Sequence, residues 1–287
     1  MFKKVIYLLS LVFVITFASC KKDNGGNDNS VSVNTISAKW EISDSNSPYA
    51  SFEFNKDGNY IVLNNDVGMN LRSVSAKSKA SLFKINILKA VSMRSSESSE
   101  ESNLSPIHFG TYKIDGDKII LEGFGVINVI SITADEFTFS FTLTSTGETG
   151  NFIANKSAEP ISSSTRTEMF CRTWVVKSLT IDGKVFTSND DVIANGVYTD
   201  FYVIGSIVLF SRAGTYLVLY GGEGGEAGLS EWKWANTKET QLYYSWENWT
   251  DDWSDNIVTI NKLSNSSLDM QEAVDDGYWI YHLTLKN

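Results

Sequence analysis

The sequence predicts an all-β protein made of two tandem, small antiparallel β-barrels. Apolar and polar residues alternate in stretches such as "EFTFSFTL" and "YWIYHLTL", which is typical of strands with one buried face. Glycine turns such as "KDG" and "RAG" separate short strand patterns, as in hairpins. The chain also repeats itself over about 120 residues, which is long enough for the eight strands of a small barrel.

Residues 1–19 have the pattern of a secretory signal peptide. Lys3 and Lys4 precede the apolar run "VIYLLSLVFVITFA", and the small residues Ala18 and Ser19 precede Cys20. The run is short for a membrane span, so a transmembrane helix is the weaker alternative. The residues around Cys20 resemble the lipobox of bacterial lipoproteins, in which the cysteine is lipidated and becomes the first mature residue.

Lipidation at Cys20 implies that the protein's partner is a lipid bilayer. Two or more acyl chains anchor a protein stably without spanning the membrane. Residues 20–35 are polar and rich in Gly and Asn, which predicts a flexible tether. We therefore expect a lipid-anchored protein of the cell envelope at the outer membrane, on either its periplasmic or its surface face.

Composition narrows the function classes. The formal net charge of −10 argues against nucleic acid, which requires clustered Lys and Arg. The chain has two cysteines, so lipidation of Cys20 would leave Cys171 without a disulfide partner. Cys171 is either a reactive thiol or a small buried apolar residue, and the scarcity of histidine favours the second.

The repeat sets the domain boundaries. We expect one barrel over 36–157, a linker over 158–167 and a second barrel over 168–287. In each copy a Trp precedes a strand, a glycine turn and a strand that begins with an aromatic residue. The positions matched in the first copy are Trp40, Phe52, Phe54, Gly58 and Tyr60, and those in the second are Trp174, Val208, Phe210, Gly214 and Tyr216.

These motifs resemble the lipocalin-like domains of Bacteroidetes-type secreted lipoproteins. "FEFNKDGNY" at 52–60, "FGTYKIDGDKIIL" at 109–121 and "CRTWVVKSLTIDGKVF" at 171–186 carry the resemblance, which covers most of 36–287. It implies closed barrels and an envelope location more than any mechanism.

Two insertions depart from that pattern. Residues 64–107 interrupt the first copy, and the Ser/Glu-rich part at 92–105 favours a disordered insertion over a lid. The second copy carries "DGKVFTSNDDVIANGVYTDFYVIG" between its first two strands, which we expect to be a loop at the barrel rim. A short helix over 82–91 is the one helical pattern that we identify.

Aromatic residues of the second copy form the candidate ligand site. The set is Trp232, Trp234, Tyr244, Trp246, Trp249 and Trp253. The first four lie in alternating strand patterns, where filling the barrel interior is the main alternative. Trp249 and Trp253 lie in the polar, acidic stretch "ENWTDDWSDN", where aromatic faces beside carboxylates suit a glycan. The main alternative for this stretch is a simple cap over the end of the barrel.

No other motif selects a chemistry. "GGEGGEAG" lacks the Lys-Ser/Thr and the helix of a phosphate loop, and the acidic clusters lack calcium-loop spacing. His108 and His282 have no nucleophile or metal partner at recognisable spacing. We therefore expect a protein that is not an enzyme, without cofactor or metal, and that binds a small apolar molecule or a glycan. The alternative is a structural or protein-interaction component of the envelope.

Overall fold

The computed structural model describes residues 31–65, 107–157, 161–196, 202–222, 227–245, 257–274 and 277–286. The protein is all-β, and its strands form two closed, antiparallel, eight-stranded barrels. The predicted fold class is confirmed. Each barrel is formed by one copy of the repeat.

The first barrel is a simple up-and-down sheet. Its strands pair with their neighbours along the chain, and the last strand closes against the first through Ile42 and Ala154. The strands are β1 (Lys39–Ile42), β2 (Tyr49–Phe54), β3 (Asn59–Asn64), β4 (Ile107–Asp115), β5 (Lys118–Leu121), β6 (Gly125–Ile132), β7 (Glu136–Leu143) and β8 (Thr149–Lys156). A short helix, α1 (Val33–Ile36), precedes β1 and is capped by Ser32.

The second barrel repeats this order with one addition. Its long strand β9 pairs with β11 near its start, with β10 near its end and with the final strand β17 along most of its length. The elements are α2 (Thr165–Phe170), β9 (Thr173–Ile181), β10 (Lys184–Phe186), α3 (Asn189–Ala194), β11 (Ile207–Phe210), β12 (Thr215–Leu219), β13 (Ala227–Trp234), β14 (Gln241–Ser245), β15 (Ile257–Leu263), β16 (Ser267–Val274) and β17 (Gly277–Leu285).

The matched tryptophans play the same structural part in both copies. Trp40 Nε1 donates a hydrogen bond to the Ile36 carbonyl at 2.9 Å, and Trp174 Nε1 donates to the Phe170 carbonyl at 2.9 Å. Each acceptor lies at the end of the short helix that precedes the barrel, where carbonyls have no partner within the helix. The repeat predicted from sequence is therefore a structural repeat.

The turn glycines are also equivalent. Gly58 has φ 86° and Gly214 has φ 89°, in the left-handed region that glycine adopts without steric cost. After each turn, the second residue of the next strand is a buried tyrosine: Tyr60 in β3 and Tyr216 in β12. The predicted hairpins at "KDG" and "RAG" are confirmed.

The alternating residues fill the barrel interiors as predicted. Phe137, Phe139 and Phe141 are all buried in the first core. The Phe137 ring meets Trp40 edge-to-face, with 5.4 Å between ring centroids, and the Phe139 ring stacks on Phe152 at 5.5 Å. Such contacts add to the burial of apolar area that stabilises the barrel.

The two barrels pack against each other through their outer walls. A small apolar cluster of Ile61 and Ile107 from the first barrel with Leu209, Leu217 and Ala227 from the second is buried between them. Polar contacts border it on the side of the hairpin turns. The Asp57 Oδ2 atom accepts hydrogen bonds from Thr173 N at 2.9 Å and from Thr173 Oγ1 at 2.8 Å.

Several segments differ from the sequence prediction. The expected rim loop of the second copy contains β10 and α3, whose Phe186 and Val192 join the second core. α1 begins inside the expected tether, and α2 begins inside the expected linker. These helices are four to six residues long, which is too short to show a helical periodicity in the sequence. The predicted helix over 82–91 and the insertion at 92–105 lie outside the described residues.

Candidate functional site

The aromatic residues predicted as a ligand site are divided by the structure. Trp232 and Tyr244 face each other across β13 and β14 and are buried in the second core. Trp234 is half-buried at the edge of that core, and its Nε1 donates to Thr167 Oγ1 at 2.8 Å. These three side chains pack as the core alternative expects. Trp246, Trp249 and Trp253 lie outside the described residues.

A cavity opens instead at one end of the first barrel, and we call it the first-barrel mouth. It has a volume of about 680 Å³. It lies between β1, the segment that leads into β2, and the β7–β8 hairpin. β7 runs from Phe137, which packs against Trp40, to Phe141, which lines the mouth, so the mouth is at the end of the barrel away from α1.

The floor of the mouth is aromatic. Tyr49 is at its centre, with ring centroids 5.3 Å from Phe52, 5.4 Å from Phe141 and 5.7 Å from Phe152. All three contacts are edge-to-face. Rings held in this way offer a rigid apolar surface to a ligand, because each ring is fixed by its neighbours.

The rim of the mouth is polar and acidic. Asp44 and Glu148 supply carboxylates, and Asn46 and Asn151 supply amides. Among the described residues that line the mouth there is no lysine, arginine or histidine. Burial, and then the negative charge of Glu148, raise the pKa of Tyr49, so its hydroxyl stays protonated at neutral pH and can donate a hydrogen bond.

The second barrel has different residues at the equivalent positions. Phe141 pairs with Gly150 in the first barrel, and Glu272 pairs with Trp279 at the same register in the second. The Trp279 indole therefore occupies a position where the first barrel has only a hydrogen atom. Phe152 corresponds likewise to Tyr281, whose hydroxyl donates to Glu272 Oε2 at 2.8 Å.

The absence of a side chain at Gly150 helps to open the first-barrel mouth. A Cβ atom at this position would lie 2.8 Å from the Phe152 ring, which is closer than ordinary contact. The ring can therefore lie flat over the backbone of β8. The mouth depends on this glycine and on the ring beside it.

A hydrogen-bonded chain on the wall of the second barrel was missed by sequence reasoning. Thr180 Oγ1 lies 2.8 Å from His282 Nε2, and His282 Nδ1 lies 3.0 Å from Asp269 Oδ1. The three residues belong to β9, β17 and β16, so only the strand register brings them together. These hydrogen bonds link three strands where β17 closes the barrel against β9. None of the three residues lines the first-barrel mouth.

The remaining titratable groups are dispersed. His108 is buried against the Phe124 ring, at 4.0 Å between ring centroids, and burial lowers its pKa to about 4. Cys171 is half-buried at the edge of the second core, and burial of its thiol raises the pKa, which disfavours the reactive thiolate at neutral pH. Within the described ranges, no three residues of the types His, Cys, Asp and Glu come together as a metal site would require.

Comparison with known proteins does not assign the chain to a family. No protein-family model matches the chain, and no curated protein matches its sequence. Among the helices that the structure describes, none has the length and apolar character needed to cross a bilayer.

Proposed function

We propose that the chain is a membrane-anchored envelope lipoprotein with two lipocalin-like barrels, and that it binds a small ligand without transforming it. The first-barrel mouth is the observation that carries this proposal. Its volume of about 680 Å³ is within the range of about 300–1,000 Å³ that is typical of ligand pockets. An apolar floor with a few polar groups at the rim is also the usual composition of such pockets.

The chemistry of the mouth favours a neutral ligand. Asp44 and Glu148 would repel an anion such as a fatty acid or a bile salt, and no cationic side chain of the described lining would offset that repulsion. Carboxylates and amides at the rim accept hydrogen bonds from hydroxyl groups. The Tyr49 and Phe152 rings can meet an apolar C–H face. A neutral oligosaccharide combines these features.

The anchor in this proposal rests on the sequence. The signal-peptide pattern and the lipobox-like residues before Cys20 support lipidation, which would hold both barrels at the outer membrane. A ligand captured there would be retained at the membrane surface. The stretch 247–256 with Trp249 and Trp253, which the sequence predicts to be a loop and which we call the tryptophan loop, remains a second predicted ligand surface.

A binding screen tests the proposal. The full-length chain in lipid nanodiscs is titrated with neutral oligosaccharides, a fatty acid, a bile salt and haem, and affinities are measured by calorimetry. We expect binding of a neutral oligosaccharide. Phe152→Ala removes the one partly exposed ring among Tyr49, Phe141 and Phe152 and should weaken that binding by about tenfold or more, because aromatic contacts dominate such sites.

The matched control is the double variant Trp249→Ala/Trp253→Ala. It removes aromatic rings from the second copy and should leave the affinity unchanged. Circular dichroism verifies that each variant is folded. Loss of binding in the double variant with retention in Phe152→Ala would move the site to the tryptophan loop, and failure of every ligand to bind would contradict a binding role.

A further inference from the structure

A second cavity lies between the two barrels, and we call it the inter-barrel cleft. Its volume is about 470 Å³. β1 and β2 of the first barrel line one side, and α2 with the β11–β12 turn of the second barrel lines the other. It is separate from the first-barrel mouth, with which it shares no lining residue.

A buried carboxylate borders the cleft. The Glu53 side chain is 3% exposed, and its Oε2 atom accepts a hydrogen bond from Thr215 Oγ1 at 2.7 Å. Its Oε1 atom is buried and has no hydrogen-bond partner among the described residues. A charged oxygen that is removed from water without a partner is costly, so the site is suited to a bound hydrogen-bond donor.

The guanidinium of Arg212 borders the same cleft and supplies a hydrogen-bond donor. Arg212 Nη2 donates to the Ser162 carbonyl at 3.1 Å, and its Nη1 lies 3.9 Å from Glu168 Oε1. Its Nε atom is buried and, within the described part of the chain, has no hydrogen-bond partner. This donor is suited to a bound anionic acceptor.

Most charged side chains around the cleft are cationic, which favours a ligand with one anionic group. Lys39, Lys56 and Lys156 line it together with Arg212, although the whole chain carries a net charge of −10. Glu168 offsets part of this positive charge, since its Oε1 lies 3.6 Å from Lys56 Nζ. These lysines would repel a ligand that carries only a positive charge, and Glu53 would repel a ligand that carries only a negative charge.

We propose that the inter-barrel cleft binds a small zwitterion of the amino acid or dipeptide class. The ammonium group donates to Glu53, and the carboxylate accepts from Arg212 and the neighbouring lysines. The ligand would contact both barrels and would therefore stabilise their packing. This site is independent of the proposed neutral ligand of the first-barrel mouth.

Calorimetry on the full-length chain in lipid nanodiscs tests this assignment. L-alanine and glycylglycine are the zwitterionic probes, and their relative affinities distinguish a free amino acid from a short peptide. Acetate and ethylamine each carry one of the two charges and should bind at least about tenfold more weakly, because each lacks one charge-assisted hydrogen bond.

Two substitutions locate the site. Glu53→Gln keeps the size of the side chain and an oxygen that can accept from Thr215, and Arg212→Gln removes the guanidinium. Each substitution should weaken binding of the zwitterion by about tenfold or more. Glu122→Gln makes the same change at an exposed carboxylate outside the cleft and should have no effect, as should Phe152→Ala at the mouth. If Arg212→Gln does not fold, Glu53→Gln alone decides.

The assignment is overturned if neither zwitterion binds the folded wild-type chain, in which case water alone would serve the two buried atoms. It is equally overturned if Glu53→Gln binds the zwitterion as tightly as the wild type does. Retention of oligosaccharide binding in Glu53→Gln would show that the two sites are distinct.

Discussion

Each of the two matched tryptophans joins its barrel by a hydrogen bond to the short helix that precedes it. Trp40→Phe removes the indole N–H that the buried Ile36 carbonyl accepts, whereas in Trp174→Phe the Phe170 carbonyl keeps a hydrogen bond from Arg172 N at 2.8 Å. We expect Trp40→Phe to lose about 1–3 kcal/mol of unfolding free energy and Trp174→Phe to lose less, because only the Ile36 carbonyl is left without a donor. Urea unfolding of both variants measures this loss.

Trp234→Phe is the control, because the Thr167 hydroxyl that accepts from its half-buried indole also accepts a hydrogen bond from Ser164 Oγ at 3.2 Å. Its loss should be smaller than that of Trp40→Phe. Equal losses in Trp40→Phe and Trp234→Phe would mean that indole volume, and not the bond to the helix end, determines stability.

His108 makes the first barrel sensitive to acid. Burial lowers its pKa to about 4 from the ordinary 6.5, so the unfolded chain binds more protons than the folded chain between these values. His108 therefore does not lower the unfolding free energy near neutral pH. As the pH falls from about 6.5 to about 4, the unfolding free energy decreases by up to about 3 kcal/mol.

His108→Phe keeps an aromatic ring against Phe124 and removes the proton site. The unfolding free energy of this variant should fall less steeply than that of the wild type over the same pH range. Urea midpoints at neutral pH and near pH 4.5 provide the comparison, because most of the loss has occurred by about pH 4.5, near the lower end of this range. Identical slopes in the two proteins would exclude His108 as the cause.

At the scale of elements, the β2–β3 hairpin joins the two barrels. Asp57 in its turn accepts two hydrogen bonds from Thr173 at the start of β9. Asp57→Ala leaves both buried donors without this acceptor and should cost about 2–4 kcal/mol. We expect scanning calorimetry to show one unfolding transition for the wild type and two for the variant, because the barrels would no longer unfold together.

Asp117→Ala, in the exposed β4–β5 turn, makes the same substitution away from the interface and should change stability by less than about 0.5 kcal/mol. A single transition in Asp57→Ala at the wild-type temperature would mean that the apolar cluster alone couples the barrels.

The strands could be predicted from sequence, and the helices could not. Strands such as β7 alternate strictly, and one buried face follows directly from that period. α1, α2 and α3 are four to six residues long, too short to show a helical period. A signal did exist in "SNDD", where Ser188 caps α3 by accepting from Asp191 N.

At the scale of the molecule, the two copies share a fold and differ at their mouths. The sequence shows the repeat, but it does not show which positions of β8 and β17 correspond, because that depends on strand register. Register is what aligns Gly150 with Trp279 and Phe141 with Glu272. The first-barrel mouth was therefore not predictable, whereas the tryptophans that drew attention in the sequence are in part core residues.

The inter-barrel cleft could not be predicted from the sequence for a related reason. Glu53 and Thr215 are separated by 162 positions, and only the packing of one barrel on the other brings them together. Glu53 lies on the outward face of β2, where an acidic residue is unremarkable in sequence. Its burial follows from the second barrel covering that face.

The most direct test of the binding role is an NMR titration of the full-length chain in nanodiscs with the neutral oligosaccharide that binds most tightly. Backbone amide signals of Tyr49, Gly150 and Asn151 report on the first-barrel mouth, and the indole N–H signals of Trp249 and Trp253 report on the loop of the second copy. We predict that the three amide signals shift with the ligand while the two indole signals stay in place. Indole shifts without movement of the amide signals would contradict the account and assign the ligand to the tryptophan loop.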